Sequence, residues 1–134
     1  PTPYFGSAAT DATHAWFAGY GGKIVGTTDG STFTTQLASA PGTFLALSAV
    51  SVSGTANAWA VGKGGVIYHT ADGATWTAQT SGTTNDLSSV SAVDASNAFA
   101  CSGYSTSGSL IKTNDGGSTW TATTSAGICN GGTE

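Results

Sequence analysis

The chain has 134 residues, the length of one ordinary domain, with 39% apolar and only 7% charged residues. Its net charge of −4, with three lysines and no arginine, excludes the basic surface that nucleic-acid binding requires. No apolar run approaches the roughly 20 residues of a membrane-spanning helix. The low charge, abundant Ser and Thr and even number of cysteines predict a secreted, extracellular protein. A start at Pro1 without methionine indicates a processed product or a fragment of a longer chain.

A repeated pattern organises the sequence from beginning to end. Asp29, Asp72 and Asp115 are spaced 43 residues apart, each between a threonine and a glycine turn that leads to an aromatic residue. Period-2 alternation of apolar residues dominates, and no stretch keeps helical spacing over three turns. Each repeat therefore predicts four strands. They lie at about residues 4–10, 15–19, 23–28 and 32–37; 44–52, 58–62, 66–70 and 75–80; and 87–93, 98–103, 109–113 and 119–124.

Four short strands repeating at this period are typical of β-propeller blades. The predicted fold class is all-β, with three blades of four antiparallel strands each. The blades occupy residues 1–124, at about 4–37, 44–80 and 87–124, and residues 125–134 form a Gly-rich tail.

Three blades fall short of the four to eight that usually close a propeller. We therefore expect the ring to be completed by a second chain, either another copy in a homodimer or a different product of the same precursor. Apolar strand residues of the first and third blades should form that contact, namely Phe17, Val25, Leu110 and Trp120.

The turn pattern identifies a family. Thr-x-Asp-x-Gly-x-Thr-Trp is complete from Thr113 to Trp120, and one residue shorter from Thr70 to Trp76 and from Thr27 to Phe33. It resembles the Asp-box, or bacterial neuraminidase repeat, of sialidase-like propellers. The longer string from Asn57 to Trp76 is similar to the repeats of photosystem II assembly-factor-like propellers. The resemblance covers about four-fifths of the chain.

The Asp-box residues have a structural explanation in local chemistry. An Asp accepts turn N–H groups, a Gly supplies positive φ, and the aromatic residue folds back onto the blade. We therefore predict a structural role for Asp29, Asp72 and Asp115 and for their aromatic partners Phe33, Trp76 and Trp120.

Few groups then remain for catalysis. Asp11 and Asp94 occupy matching turns, which leaves Asp86 and the terminal Glu134 among the seven acidic residues. Glycoside hydrolysis normally needs two placed carboxylates about 5–10 Å apart. The chain has no Gly-x-Ser-x-Gly motif, and its two histidines lie in different repeats. The sequence therefore favours a non-catalytic protein without metal or cofactor.

A candidate ligand-binding face lies on the loops between the second and third strands. These loops present Tyr20, Lys63 and Tyr104 at equivalent positions, and Asp86 lies in a connector on the same side. Aromatic faces with nearby polar groups suit sugars. The leading hypothesis is thus a lectin-like protein that binds a carbohydrate or glycoprotein.

Two alternatives stay open. The chain could be a processed part of a larger propeller glycosidase or other enzyme, with the catalytic residues on a partner chain. It could also be a protein-interaction or assembly scaffold, as the photosystem II assembly-factor resemblance implies.

The two cysteines offer one covalent link. Cys101 falls in the second strand of the third repeat and Cys129 in the tail. A disulfide between them would pin the tail to the third blade, as an extracellular setting permits. The alternative is a buried free Cys101 with an exposed Cys129.

Overall fold

The computed structural model describes residues 3–52, 54–102 and 110–123. The first blade contains β1 (Tyr4–Ala9), β2 (Ala15–Gly19), β3 (Ile24–Thr27) and β4 (Thr34–Leu37). The second contains β5 (Phe44–Val52), β6 (Thr55–Gly62), β7 (Ile67–Thr70) and β8 (Trp76–Gln79). The third contains β9 (Ser89–Ala92), β10 (Ala98–Cys101), β11 (Leu110–Thr113) and β12 (Thr121–Thr123).

The twelve strands form three four-stranded sheets, and each sheet follows chain order from one edge to the other. All neighbouring strands are antiparallel. The first strands of the blades lie side by side, with β5 packed between β1 and β9, as the inner strands of a propeller do. The predicted all-β fold with three blades is therefore confirmed.

The hairpin of β5 and β6 is longer than the sequence predicts. β6 begins at Thr55, not near residue 58, and its extra residues pair with the end of β5 down to Val52↔Thr55. In the first and third blades an aspartate, Asp11 or Asp94, holds the corresponding turn open by accepting backbone N–H groups. The second blade has no such aspartate, and Gly54 at φ +77° closes a tighter turn.

The core lies between the blades. One buried cluster joins the first two blades around Trp16, Ile24 and Phe44, and a second joins the last two around Trp59 and Ile111. Because side chains alternate across a strand, the second blade supplies one face to each cluster. Small residues of β6 and β10 make room for the opposing indoles, and they are Ala58, Ala60, Ala98 and Ala100.

A polar contact, which we call the Gln–Trp clasp, crosses each boundary between blades. At the first boundary the indole N–H of Trp76 donates to Gln36 Oε1 at 2.7 Å, and Gln36 Nε2 donates to the Gly73 carbonyl at 3.1 Å. At the second, Trp120 donates to Gln79 Oε1 at 3.0 Å, and Gln79 Nε2 donates to the Gly116 carbonyl at 2.9 Å. Each pair satisfies polar atoms that the packing would otherwise leave unpaired.

The outward faces of the end blades carry partly exposed aromatic residues. Phe17 is 39% exposed and Phe33 48% exposed on the first blade, where their rings are 6.0 Å apart. On the third blade Phe99 is 40% exposed. The expectation that Trp120 also lies on an outward face is wrong, because its indole packs towards the second blade and is 8% exposed. What completes the ring stays a prediction.

Candidate functional site

Hydrogen bonds between a threonine, an aspartate and the turn backbone hold each of the three Asp-box turns. In the second blade, Asp72 Oδ1 accepts the backbone N–H groups of Ala74 and Thr75, both at 2.8 Å. Thr70 Oγ1 donates to Asp72 Oδ1 at 3.1 Å and accepts the N–H of Gly73 at 2.9 Å. The first blade repeats this pattern with Thr27 and Asp29. In the third blade Thr113 Oγ1 donates to Asp115 and accepts the N–H of Gly117, and Asp115 accepts the backbone N–H and the hydroxyl of Thr119.

These bonds favour the charged form of each carboxylate. The N–H of Thr32 makes the largest contribution to lowering the pKa of Asp29 to about 2. The hydroxyl of Thr119 does the same for Asp115, whose pKa also falls to about 2. The pKa of Asp72 is lowered by the backbone N–H groups of its own turn. Carboxylates held ionised in this way are poor general acids at neutral pH.

The other carboxylates of the described residues also serve turns. Asp11 and Asp94 each accept two backbone N–H groups in the turns before β2 and β10. The Thr13 hydroxyl lowers the pKa of Asp11 most, and the N–H of Ser96 lowers that of Asp94 most. With Asp86, described below, all six aspartates of the chain accept backbone N–H groups from turns.

The opposite end of the blades forms a second surface, which we call the connector face. It comprises the Tyr20 turn (Tyr20–Gly22), the Lys63 turn (Lys63–Gly65) and the connectors at residues 38–43 and 81–86. The two turns have nearly the same backbone, with φ 68° and ψ 11° at Gly21 and φ 73° and ψ 12° at Gly64. Glycine is required at such angles, so both blades present their turn residue in the same orientation.

Thr43 joins the two turns, a role that the sequence analysis missed. Its hydroxyl accepts the N–H of Gly21 at 3.2 Å, and its carbonyl accepts the N–H of Lys63 at 2.9 Å. Asp86 takes the corresponding place one repeat later, and its Oδ1 accepts the N–H of Gly64 at 2.8 Å. The 43-residue step from Thr43 to Asp86 was the available signal. Asp86 therefore holds the Lys63 turn and has one carboxylate oxygen already engaged.

The structure brings some of the predicted ligand-binding residues to one face. Tyr20 is 63% exposed, and Lys63 is exposed at the equivalent position of the next blade. Tyr104, Cys129 and the tail lie outside the described residues. Cys101 is half-buried in β10, and its pairing with Cys129 stays a prediction. Within the described ranges, no group of three or more His, Cys, Asp or Glu residues could hold a metal ion.

His69 packs against the core. Its ring stacks on Trp59 with the centroids 4.4 Å apart, and Nε2 lies 3.2 Å from Asn57 Oδ1. Burial lowers the pKa of His69 because it disfavours the charged ring. Trp59 Nε1 is buried and has no hydrogen-bond partner among the described residues, whereas the equivalent Trp16 donates to the Gly73 carbonyl at 2.9 Å.

Among the described residues, no helix is long and apolar enough to cross a membrane. The profile of the family described as photosynthesis system II assembly factor YCF48 matches residues 5–133. A search of curated protein sequences gives no significant match.

Two solved structures share the fold. The structure of YCF48 bound to D1 peptide superposes with a TM-score of 0.71 at 21% identity, covering 90% of this chain and 40% of that one. YCF48 from Cyanidioschyzon merolae gives a TM-score of 0.68 at 22% identity, covering 90% of this chain and 39% of that one. The chain thus spans about 40% of the length of either structure.

These matches confirm the predicted resemblance to photosystem II assembly-factor-like propellers and correct the functional hypothesis. The lectin-like reading and the carbohydrate or glycoprotein partner are wrong, because the similar protein carries a peptide and the matching family is an assembly factor. The extracellular localisation is wrong as well, because a photosystem is assembled within the cell. The Asp-box misled because it stabilises a turn in propellers of many functions.

Proposed function

Because the chain belongs to the family of photosynthesis system II assembly factor YCF48, we propose that it forms three blades of an assembly-factor propeller that binds a segment of a photosystem II protein. The family match over residues 5–133 carries this proposal. The similar structure of YCF48 with a D1 peptide supports a peptide as the class of ligand. This reading corresponds to the scaffold alternative of the sequence analysis.

The geometry of the connector face supports peptide binding. The Tyr20 and Lys63 turns stand side by side with matching backbones, fixed through Thr43 and Asp86. A fixed surface loses little conformational entropy when a ligand binds. With no arginine and three lysines in the chain, recognition here relies on shape and single charges, not on a broad basic patch.

The aspartates argue against the remaining alternative, a part of a glycosidase. A glycosidase needs one carboxyl group that can donate a proton and another free to attack or to activate water. The aspartates in the described ranges are instead bound to backbone N–H groups. Among the residues that the structure describes, no contact favours a catalytic role for any of these aspartates.

The proposal is tested with overlapping synthetic peptides that cover the D1 sequence, each paired with a scrambled version. We expect at least one segment to bind the 134-residue chain more tightly than its scrambled control, measured by fluorescence polarisation. Tyr20→Ala should weaken that binding. Phe5→Ala, which removes an aromatic ring of similar exposure in β1, should not. Equal binding of true and scrambled peptides throughout the series would refute the proposal.

A further inference from the structure

A cavity of about 230 Å³ opens where the first connector crosses the second blade. Pro41 from the connector, Ile67 and Tyr68 from β7, and Ala78 from β8 form its walls, together with Val66 and the Lys63 turn. A typical site for a drug-sized ligand has about 300–1,000 Å³. The volume therefore suits one amino-acid side chain or chain end.

Close packing around the Lys63 turn fixes the shape of this cavity. A Cβ atom on Gly42 would lie 2.2 Å from the carbonyl oxygen of Lys63, and one on Gly65 would lie 2.1 Å from the carbonyl oxygen of Thr83. The connectors at residues 38–43 and 81–86 therefore pack so closely against the Lys63 turn that no side chain fits between them at these two glycines. Asp86 holds the N–H of Gly64 from the other side. The cavity is therefore formed before any ligand arrives.

Three polar side chains line the cavity: Lys63, Tyr68 and Gln79. The Gln79 amide is already bonded to Trp120 and to the Gly116 carbonyl, which leaves the Lys63 ammonium and the Tyr68 phenol. The single salt-bridge contact among the described residues joins His14 Nδ1 and Asp11 Oδ1, so no carboxylate from this part of the chain lies within salt-bridge distance of the Lys63 ammonium. Asp86, which accepts the N–H of the adjacent Gly64, is bonded to the turn backbone. The Tyr68 ring is held edge-on by Phe44, with the centroids 5.8 Å apart. No hydrogen bond occupies the Tyr68 hydroxyl within the residues that the structure describes.

We propose that this cavity, the Lys63 pocket, binds a carboxylate-bearing residue of the peptide segment. The aliphatic part of that residue packs on Pro41, Val66 and Ile67, and its carboxylate pairs with the Lys63 ammonium and accepts the Tyr68 hydroxyl. The peptide as ligand class rests on the proposed function, whereas the preference for a carboxylate rests on the pocket. The carboxylate can come from an Asp or Glu side chain or from a peptide C-terminus.

Four hexapeptides on one Ala/Ser background distinguish these sources. Two carry an internal Glu or Gln and have an amidated C-terminus, and two end in Leu as a free acid or an amide. We expect the Glu peptide or the free-acid peptide to shift the backbone NMR signals of Gly64, Gly65 and Tyr68 and to bind about tenfold more tightly than its uncharged counterpart, as bonds to charged groups usually allow. Equal binding within both pairs would refute the proposal.

Variants then identify the charge responsible. Lys63→Gln should weaken binding of the carboxylate peptide about tenfold, and Lys63→Arg should retain most of the affinity. Lys112→Gln is the matched control, because it makes the same charge change on exposed β11, away from the pocket. An equal loss in Lys63→Gln and Lys112→Gln would show non-specific attraction and refute the pocket.

The outcomes separate this inference from the proposed function. If D1 segments bind and Lys63→Gln binds them equally well, the pocket is wrong and the function stands. If the carboxylate peptides bind at Lys63 and no D1 segment binds better than its scrambled control, the pocket stands and the function is wrong.

Discussion

At the scale of single residues, the threonine that precedes each Asp-box aspartate carries as much of the turn as the aspartate itself. Thr27, Thr70 and Thr113 are all nearly inaccessible to solvent, at 2%, 0% and 4% exposure. Each hydroxyl donates to the carboxylate and accepts a glycine N–H, so one oxygen completes two bonds inside the turn. A buried hydroxyl with two partners is hard to replace, because no other side chain has the same shape and both functions.

Thr70→Val should therefore destabilise the protein although it preserves side-chain shape. It leaves the buried N–H of Gly73 without an acceptor, which costs about 1–3 kcal/mol of unfolding free energy. Urea denaturation measures the change. Thr34→Val, the same replacement on exposed β4, should be close to neutral. Equal effects of the two substitutions would show that the hydroxyl of Thr70 is dispensable.

At the scale of elements, the blades are joined by the Gln–Trp clasp as well as by apolar packing. The two clasps differ in one respect. The Gly73 carbonyl accepts both Gln36 and the indole of Trp16, whereas at the second boundary Trp59 makes no such bond. The third Asp-box has one residue more than the second. The second boundary therefore depends more on its glutamine.

Gln79→Met should cost more stability than Gln36→Met. Either change leaves an indole N–H without its acceptor, but only Gln79→Met also removes the single donor that the described residues offer to the Gly116 carbonyl. We expect about 1–3 kcal/mol for Gln79→Met and a smaller loss for Gln36→Met, both from thermal unfolding. Trp120→Phe should lower the stability less in the Gln79→Met variant than in the unaltered protein, because both substitutions remove the same Trp120–Gln79 hydrogen bond. Strict additivity would argue against the clasp.

At the scale of the whole molecule, the sequence predicted the architecture well because the repeat is expressed in local chemistry. Strand limits follow from alternation around turns such as Asp72-Gly73, and most fall within a few residues of those observed. The bond between Gln36 and Trp76 and the bond between Thr43 and Gly21 each join residues more than 20 positions apart in the chain. They depend on how the blades pack, which no local sequence pattern predicts. The bond from Gly64 to Asp86 likewise joins positions 22 residues apart, and a ligand-binding role for Asp86 stays a prediction.

The turn carboxylates also predict how stability depends on pH. The aspartate pKa values are lowered in the folded protein, to about 2 for Asp29 and Asp115, from 3.8 in an unfolded chain. The unfolded chain therefore takes up protons first as the pH falls, and unfolding is favoured. Stability contributed by these groups is complete above about pH 4 and is lost between about pH 4 and 2.

Thermal melts at steps from pH 6 to pH 2 check this expectation. The melting temperature should fall steeply below about pH 4. The Asp29→Asn, Asp115→Asn double variant should melt lower at pH 6 and show a shallower fall. A parallel curve for the variant would mean that other groups govern acid unfolding.

The Gln–Trp clasp gives the array of blades a direction. Each glutamine stands on the last strand of one blade and reaches only the turn of the blade that follows. The first blade has Phe33, which lacks a side-chain N–H group, where the following blades have tryptophan. The third blade has Thr123 where the preceding blades have glutamine. If the first two blades exchanged places, Gln79 would meet Phe33 and its amide oxygen would be buried without a donor. The blades share one motif, but the Gln–Trp clasp fixes their order. A chain with its blades exchanged would lose hydrogen bonds at the boundaries between blades, although each sheet stayed intact.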